Sequence, residues 1–451
     1  MKPISRARRR SETLTSEPDW RSRACCGIVA AYEQVPGATG GIMQGPARKT
    51  GTHHALLAGF LGWTLDAFDF FVIVFLYDTL AHEFNVQKKA IVLTTTATLA
   101  LRPVGALLFG LLADRFGRRI PLMANVIYFS IVEVACGFAP NYNIFLILRA
   151  LFGIGMGGEW GVGASLAMEA APPRWRGVLS GILQSGYSIG YLLAALAARV
   201  VLPTLGWRWM FWLGALPALL ALYIRTKVPE SEAWAQHRAG SFKELFRVAF
   251  LNTKRFGYLV VLMTFMMFLS HGTQDLYPDF LKEVHHLKAT HVADIAITYN
   301  IGAVAGAIFF GALSQAIGRR KGMMAALGLC LLVIPFWSFG NGVPMVVATS
   351  VLMQMGVQGA WGVIPVHLNE LVAHSVRGLI PGLAYQLGIL FASPTNTIQY
   401  ALRERFGYQW ALAGFEVVTI LSLLVLLSLG AEEHGKSFVR EHPAAVAPEA
   451  A

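Results

Sequence analysis

Charged residues are scarce in this chain. Only 14% of its 451 residues are Asp, Glu, Lys or Arg and 55% are hydrophobic, whereas a soluble domain carries roughly 25% charge. Its four cysteines show no CxxC spacing and no metal-ligand pattern: Cys25, Cys26, Cys136 and Cys330. A phosphate-binding loop and a Ser/His/Asp order are also missing. These absences argue against a soluble fold, ATP-driven transport, hydrolysis and a metal centre. We therefore expect no enzyme and no cofactor.

Long apolar runs dominate the sequence from Ala55 to Gly430. Each run is about 20 residues long, which suffices for a helix to cross the hydrocarbon core of a bilayer. The runs predict an all-α membrane protein with twelve transmembrane helices, which we number as spans 1–12: 55–77, 91–113, 121–139, 143–170, 178–201, 208–226, 257–281, 292–314, 322–339, 343–372, 378–401 and 409–430.

The basic residues are distributed unevenly. The chain has 37 Lys and Arg against 26 Asp and Glu, and most of the basic residues fall in the tails and in the loops on the side of both termini. This is the positive-inside bias, which predicts that both termini are cytoplasmic. We therefore expect a multi-pass plasma-membrane protein (inner membrane in a bacterium). The positive charge reflects topology and not a nucleic-acid partner.

An internal repeat relates the two halves of the chain. Gly110, Gly117, Arg118 and Arg119 recur 201 residues later, with no gap, as Gly311, Gly318, Arg319 and Arg320. A second set recurs at the same offset: Gly155, Gly158, Trp160, Glu169, Arg176 and Gly177 return as Gly356, Gly359, Trp361, Glu370, Arg377 and Gly378. Two parallel six-helix repeats are typical of secondary transporters, which bind substrate near the bilayer midplane between the halves.

The repeat predicts the domain organisation. We expect a disordered cytoplasmic tail over 1–54, a six-helix bundle over 55–226, a basic cytoplasmic linker over 227–255, a second six-helix bundle over 256–430 and a disordered cytoplasmic tail over 431–451. The two bundles are expected to be pseudo-symmetric.

Glycines and charges cluster where spans 2 and 8 end on the basic side. Span 2 ends in Gly110-Leu-Leu-Ala-Asp114-Arg115-Phe-Gly117-Arg118-Arg119, and the second copy runs from Gly311 through Gly318 and Arg319, with Gln315 in place of Asp114. Glycine permits close helix approach and tight turns. The segment resembles the loop signature of the major facilitator superfamily. That resemblance implies the major facilitator fold, alternating access, and gating roles for Gly110, Asp114, Arg115, Gly117, Arg118, Gly311, Gly318 and Arg319.

Motifs in spans 1, 2 and 7 resemble one branch of that superfamily. Span 7 contains Ser270-His271-Gly272-Thr273-Gln274-Asp275, which is similar to the core motif of the lactate permeases in the sialate:proton symporter family, although Met267 and Asp279 depart from its flanks. Gly62-Trp-Thr-Leu-Asp66-Ala-Phe-Asp69 looks like the acid-transporting branches. Arg102 resembles the pore arginine of the carboxylate permeases, and Arg149 resembles the span-4 arginine associated with proton coupling.

Ionisable residues inside spans are the candidate site, because a charge at the bilayer centre costs roughly 2.5–3.5 kcal/mol on insertion scales. Arg102 lies near the midplane, where it can clamp a carboxylate or pair with Asp66 or Asp69. Asp66 and Asp69 share one helix face and, with Glu159 and Arg149, are candidates for proton coupling or for structural pairing. His271, Gln274, Asp275, Gln386 and Asn396 complete the candidate substrate site.

The sequence therefore predicts a proton-coupled symporter for a small organic anion, most simply a monocarboxylate such as lactate or pyruvate. Its expected partners are that anion, a proton and the lipid bilayer, with a monomer as the working unit. A symporter for sialic acid or an aromatic acid, a proton/drug antiporter and a non-transporting sensor are the alternatives. A drug antiporter would not need Arg102, and a sensor would need large cytoplasmic domains.

Overall fold

The structure, a computed structural model, describes residues 51–237, 241–251 and 253–438. The predicted tail over residues 1–50, with Cys25 and Cys26, and the stretch 439–451 lie outside the described residues. Within the described ranges, eleven helical stretches are long and apolar enough to cross a membrane. They correspond to predicted spans 1–10 and 12 and confirm the all-α membrane fold.

The spans have the following bounds. Those of the first half, spans 1–6, are Gly51–Glu83, Lys88–Phe116, Arg119–Gly137, Tyr142–Ala170, Arg176–Leu205 and Trp207–Lys227. Those of the second half, spans 7–12, are Thr253–Glu283, Ala289–Ile317, Arg319–Phe339, Val343–Leu371, the pair Ile380–Ala392 and Thr395–Phe406, and Tyr408–Leu429. We call the end of the bundle that carries the turns at Gly117 and Gly318 the basic side, and the other end the opposite side.

Span 11 departs from the prediction of one continuous helix. It consists of Ile380–Ala392 and Thr395–Phe406, separated at Ser393 and Pro394. Proline has no backbone N–H to donate and its ring crowds the preceding turn, so a helix is interrupted there. The equivalent span 5 runs unbroken from Arg176 to Leu205, so the break is specific to the second half.

Spans 1 and 7 are irregular at equivalent positions. Span 1 tightens into a short 3₁₀ segment over Ile73–Leu76, and span 7 is interrupted between Gln274 and Tyr277. The repeat offset places the second interruption on residues 74 and 75 of the first. Broken helices at membrane depth occur where backbone lines a cavity or is buried in protein, so both spans have the form expected of helices that border a transport site.

Glycines bring the long spans of each half into contact. Gly105 of span 2 lies against the Ile154 carbonyl of span 4, and the equivalent Gly306 of span 8 lies against the Met355 carbonyl of span 10. Because lipid offers apolar side chains as good an environment as protein does, helices in a membrane associate through such close contacts of small residues. Large apolar side chains such as Leu332 remain on the outside, where lipid covers them.

The predicted linker and the beginning of the predicted C-terminal tail both lie on the basic side. The linker forms two short helices, Glu232–His237 and Phe242–Leu251. The expectation of a disordered tail after Gly430 is wrong for residues 431–438, because Phe438 is only 1% exposed. Its ring lies between the guanidinium groups of Arg176 and Arg377, with centroid distances of 3.7 and 3.9 Å. Attraction between a cation and an aromatic face, which the composition of the tail does not reveal, accounts for the order.

A leucine at Gly306 should destabilise the protein, because its side chain would overlap the Met355 carbonyl. We expect Gly306→Leu to lower the unfolding free energy by about 1–3 kcal/mol, the usual range for overpacking, and so to lower the thermal midpoint of the detergent-purified protein. Gly328→Leu is the matched control, because no atom lies within 4 Å of a Cβ at Gly328. Equal midpoints for the two variants would contradict the tight crossing.

Candidate functional site

Aromatic rings from both halves meet in the centre of the bundle. Tyr385 of span 11 stacks on Trp160 of span 4, with ring centroids 4.4 Å apart, and meets Trp63 of span 1 edge-on at 6.1 Å. Trp63 also stacks on Tyr187 of span 5 at 5.5 Å, and Trp361 of span 10 lies 5.6 Å from Tyr385. These five residues, the aromatic cluster, lie deep between the halves. The sequence analysis did not include these five residues among the candidate site residues.

Arg102 borders the aromatic cluster. Its side chain is 3% exposed, and its guanidinium lies 5.9 Å from the centroid of the Tyr385 ring. Its Nε and Nη2 groups have no hydrogen-bond partner among the described residues. The alternative in which Arg102 pairs with Asp66 or Asp69 is not formed, since no carboxylate of the described residues lies within 4 Å of it. The arginine therefore has N–H groups available for a ligand.

Three buried carboxyl groups lie on spans 1 and 4, the spans that also carry Trp63 and Trp160 of the aromatic cluster. Asp66, Asp69 and Glu159 are fully buried, and none of their oxygens has a partner within the described ranges. Glu159 packs against two glycines, Gly62 of span 1 and Gly163 of its own span. Asp66 and Glu159 lie close enough to Arg102 for their charges to interact. The predicted carboxylate clamp and two predicted proton carriers are thus brought together.

Asp69 lies near an acid of span 3, Glu133, which the sequence analysis did not single out. Glu133 of span 3 accepts a hydrogen bond from Arg149 Nη1 at 2.8 Å, and both side chains are fully buried. Arg149 also lies over the Phe152 ring, 4.4 Å from its centroid. Arg149 is therefore a structural ion-pair partner in this conformation, next to Asp69. The available signal was the single acidic residue in the apolar run of span 3.

A second polar group lies toward the opposite side. His271 Nδ1 is 3.2 Å from Asp275 Oδ2, and Asn396 of span 11 donates to the same oxygen from Nδ2 at 3.0 Å. The side chains of His271 and Asp275 are 37% and 33% exposed. The Tyr187 hydroxyl lies within electrostatic range of both Asp275 and Arg102. Tyr187 therefore interacts electrostatically with both polar groups.

The three predicted glutamine and asparagine side chains have different surroundings. Gln274 turns to span 10, where its Nε2 donates to Gln354 Oε1 at 2.8 Å. Gln386 crosses between the halves and donates to the Gly157 carbonyl at 3.4 Å. Only Asn396 joins the His271–Asp275 pair. The three residues therefore do not form one site. Gln386 lies between the halves, Asn396 joins His271 and Asp275, and Gln274 contacts span 10.

The motif at the end of span 2 closes the basic side. Asp114 accepts backbone hydrogen bonds from Gly378 at 2.8 Å and from Leu379 at 3.0 Å, at the start of span 11 in the other half. Gly110 packs directly on the backbone of the same two residues. A carboxylate at a helix N-terminus is stabilised by the unpaired N–H groups and the helix dipole. Asp114 is held in place by a hydrogen bond from Arg118.

The second copy of the motif makes the equivalent contact. Gln315 Oε1 accepts from the Gly177 backbone N–H at 3.0 Å, and Gln315 Nε2 donates to the Pro173 carbonyl at 3.0 Å, at the start of span 5. Gly311 packs against Gly177 and Gly181. The two copies therefore join the halves reciprocally, one through a charged side chain and one through a neutral side chain.

Buried arginines support both copies. Arg118 binds Glu169 and Arg319 binds Glu370, at 3.1 and 2.9 Å, with all four side chains almost fully buried. Gly117 and Gly318 have φ values of +105° and +98°, the region that favours glycine. The turn that follows each glycine is capped by an acid that sequence reasoning missed, Glu230 or Glu432. Arg115, predicted with this group, lies beside the ring of Phe116.

Both halves of the chain match known transporter families. A family model described as sugar (and other) transporter matches residues 53–244, and a model described as major facilitator superfamily matches residues 260–451. The chain is 29% identical to a carboxylic acid transporter protein homolog of Saccharomyces cerevisiae over 77% of this chain and 61% of that longer protein. It is 27% identical to the sialic acid transporter NanX of Escherichia coli over 87% of this chain and 96% of that protein.

A solved structure has the same fold. The human organic anion transporter MFSD10 superposes with a TM-score of 0.68 over 85% of this chain and 100% of that one, at 16% sequence identity. The two family models cover both halves, and each copy of the repeated loop motif contacts the other half. The chain therefore belongs to the major facilitator superfamily and is a multi-pass membrane transporter and not an enzyme.

Proposed function

We propose that the protein is a proton-coupled symporter that takes up a small organic anion, with a monocarboxylate such as lactate or pyruvate as the favoured substrate. The observation that carries the proposal is the pair of free N–H groups on buried Arg102, beside two acids and between the halves. Transport of organic acids by both curated relatives supports the substrate class.

Arg102 would bind the substrate carboxylate. A planar guanidinium donates two parallel hydrogen bonds to a carboxylate, and such charge-assisted pairs are about twice as strong as neutral ones. The Nε and Nη2 groups, which lack partners among the described residues, form one edge of that fork. The aromatic cluster beside it would exclude water and so strengthen the pair. His271, Asp275 and Asn396 would orient the remainder of the substrate as it enters.

Asp66 and Glu159 would carry the coupled proton, with Asp69 as a third acid behind them. A fully buried carboxylate without a partner is costly, so such a group is stable mainly in its neutral form. Entry of an anion beside Arg102 removes the positive charge that favours ionised acids nearby, and so favours protonation of Asp66 or Glu159. Proton and anion together add no net charge to the low-dielectric pathway.

The basic side would face the cytoplasm, as the distribution of Lys and Arg predicts. In that orientation the halves are joined on the cytoplasmic side through Asp114, Gln315 and Phe438, and the half-exposed His271 and Asp275 face outward. The conformation would therefore be the one that admits substrate from outside.

An aromatic acid is the second candidate substrate, and the aromatic cluster favours it. Ring centroids of Trp63, Trp160 and Tyr385 lie within 6.4 Å of one another next to Arg102, and flat faces of this kind suit a planar acid. The same rings would suit the cation of a proton/drug antiporter, but the positive charge of Arg102 opposes a cationic cargo.

Uptake in proteoliposomes tests the proposal. We expect labelled lactate to accumulate when the outside is acidified, because an inward proton gradient drives symport. Unlabelled lactate, sialate, benzoate and a cationic dye, supplied as competitors, rank the substrate classes. Accumulation that ignores the pH gradient would rule out proton coupling, and competition by the dye alone would favour the antiporter.

Removal of the guanidinium should weaken binding of the anion. We expect Arg102→Ala to lower kcat/KM for uptake by about 10- to 100-fold, since a hydrogen bond to a charged group contributes about 1.5–3 kcal/mol. Arg102→Lys should recover only part of the loss, because the ammonium keeps the charge but not the fork. Arg199→Ala, at an exposed position of span 5, is the matched control. Unchanged uptake by Arg102→Ala would make Arg102 structural.

Loss of the Phe438 ring should loosen the basic side. Phe438 lies between Arg176 of the first half and Arg377 of the second, so Phe438→Ala removes a contact common to both halves. We expect faster alkylation of a cysteine introduced at Ser180, whose hydroxyl donates to the Gly362 carbonyl between the halves, measured by mass spectrometry. Phe406→Ala, at an exposed position, should leave the rate unchanged. Equal rates for both variants would contradict this role.

A further inference from the structure

Span 12 contains a buried acid that the transport site does not include. Glu416 is fully buried, and neither of its carboxyl oxygens has a hydrogen-bond partner in the described part of the chain. An ionisable side chain inside a membrane span is costly and usually functional. Glu416 belongs to none of the motifs in the sequence, and its repeat equivalent is Ala215.

Glu416 lies directly behind the span 7 motif. A Cβ at Gly272, the residue after His271, would overlap Glu416 Oε1 and the Phe415 ring. Glycine is therefore required at this position of the motif to make room for the carboxyl group. The Gly272 carbonyl also accepts a hydrogen bond from Gln399 Nε2 of span 11 at 2.8 Å. The backbone of the motif is thus held between span 11 and Glu416, just before the interruption of span 7.

The first half has a related arrangement with the two residue types exchanged. There the acid is on the cavity helix and the glycine on the outer helix: Asp69 of span 1 and Glu133 of span 3 pack against Gly214 of span 6. In the second half the glycine is on the cavity helix, span 7, and the acid is on span 12. Each half therefore has a buried acid in the contact between its irregular cavity helix and the last span of that half.

Among the residues that the structure describes, no basic side chain forms an ion pair with Glu416 that would hold it ionised. Span 12 packs against span 7, span 9 and the second segment of span 11. Gly272 of span 7 and Cys330 of span 9 lie next to it, Gln399 of span 11 binds the Gly272 carbonyl, and His271 and Asp275 are the next titratable groups along span 7. A carboxyl group in such a site is stable as the neutral acid.

We propose that Glu416 is a proton-binding residue of the second half, and that it releases its proton when span 7 moves away from span 12 during the transport cycle. The inference rests on the proposed proton coupling. The step is a simple acid dissociation: the carboxyl O–H bond breaks, the electron pair stays on the carboxylate, and water that enters the separated contact accepts the proton. The return of Gly272 against the carboxyl group requires protonation again, so the position of His271 and Asp275 depends on this acid.

Comparison of net uptake with exchange in proteoliposomes tests the proposal. Net uptake requires release of the proton and return of the empty carrier, whereas exchange of labelled for unlabelled lactate at equal pH requires only the loaded carrier. Glu416→Gln remains permanently neutral. We expect it to slow net uptake by more than about tenfold, equivalent to about 1.4 kcal/mol in a barrier, and to leave exchange within about twofold of the wild type.

Thr419→Val is the matched control, because Thr419 is a buried polar residue one turn away on span 12 that does not titrate. It should keep the wild-type ratio of net uptake to exchange. Glu416→Asp, which retains the acid, should keep more net uptake than Glu416→Gln. An unchanged ratio in Glu416→Gln, with both activities intact or both lost, would overturn the proposal and leave Glu416 a structural group.

Infrared spectroscopy provides a test that needs no substrate. In pH-difference spectra of the full chain in lipid, the wild type should lose a protonated-carboxyl carbonyl band as the pH rises, and that band should be missing from Glu416→Gln. Identical spectra would overturn the proposal. If wild-type uptake ignores the pH gradient while the band is present and specific, the proposed symport fails but the proton site remains.

Discussion

The burial of Arg102 without a partner carboxylate is the constraint on which the central site depends. A guanidinium near the bilayer centre costs several kcal/mol, and within the described residues no acid lies near enough to form an ion pair with it. The surrounding elements keep this charge available: the Tyr385 ring lies beside it, and Asp66 and Glu159 stand at a distance. In the Arg149–Glu133 pair the charge of the arginine is already balanced by a carboxylate. Arg102 has no such counter-charge within 4 Å among the described residues, so it is the better suited of the two to bind an anionic ligand.

The two contacts between the halves on the basic side occupy equivalent positions of the repeat but differ in charge. Asp114 and Gln315 occupy equivalent positions and both bind the start of a span in the other half. The charged contact is accompanied by a buried network in which Glu169 receives both Arg118 of its own half and Arg377 of the other. The neutral contact has a simpler network, Arg319 with Glu370. Opening of the basic side must break the hydrogen bonds of the Asp114 carboxylate in one contact and those of the Gln315 amide in the other. The free-energy costs of breaking the two contacts therefore need not be equal.

Much of this architecture is predictable because it depends on local pattern. Length and hydropathy predicted twelve spans, eleven of which are helical stretches long and apolar enough to cross a membrane. The 201-residue repeat identified the positions of the two loop motifs. Arg102, Asp66, Asp69 and Glu159 stood out because an ionisable group in an apolar run is rare. Several features escaped sequence reasoning: the acids Glu133, Glu230, Glu432 and Glu416, the tyrosines Tyr187 and Tyr385, and the ordered stretch 431–438. Tyrosines are common in membrane spans, so nothing marked Tyr187 and Tyr385 until the packing of spans 5 and 11 brought them to Arg102.

The sequence by itself determined the class of the protein and the residues that are costly to bury, because hydrophobic length, glycine turns and mid-span charges follow from the chain alone. The tertiary structure decided which of those charges are paired. Arg149 and Arg102 look alike in sequence, since each is an arginine within an apolar helix. They differ because Glu133 on span 3 lies 2.8 Å from Arg149, whereas no carboxylate of the described residues lies within 4 Å of Arg102. Pairing depends on distances of a few ångströms between different helices, and no periodicity within one helix encodes such distances.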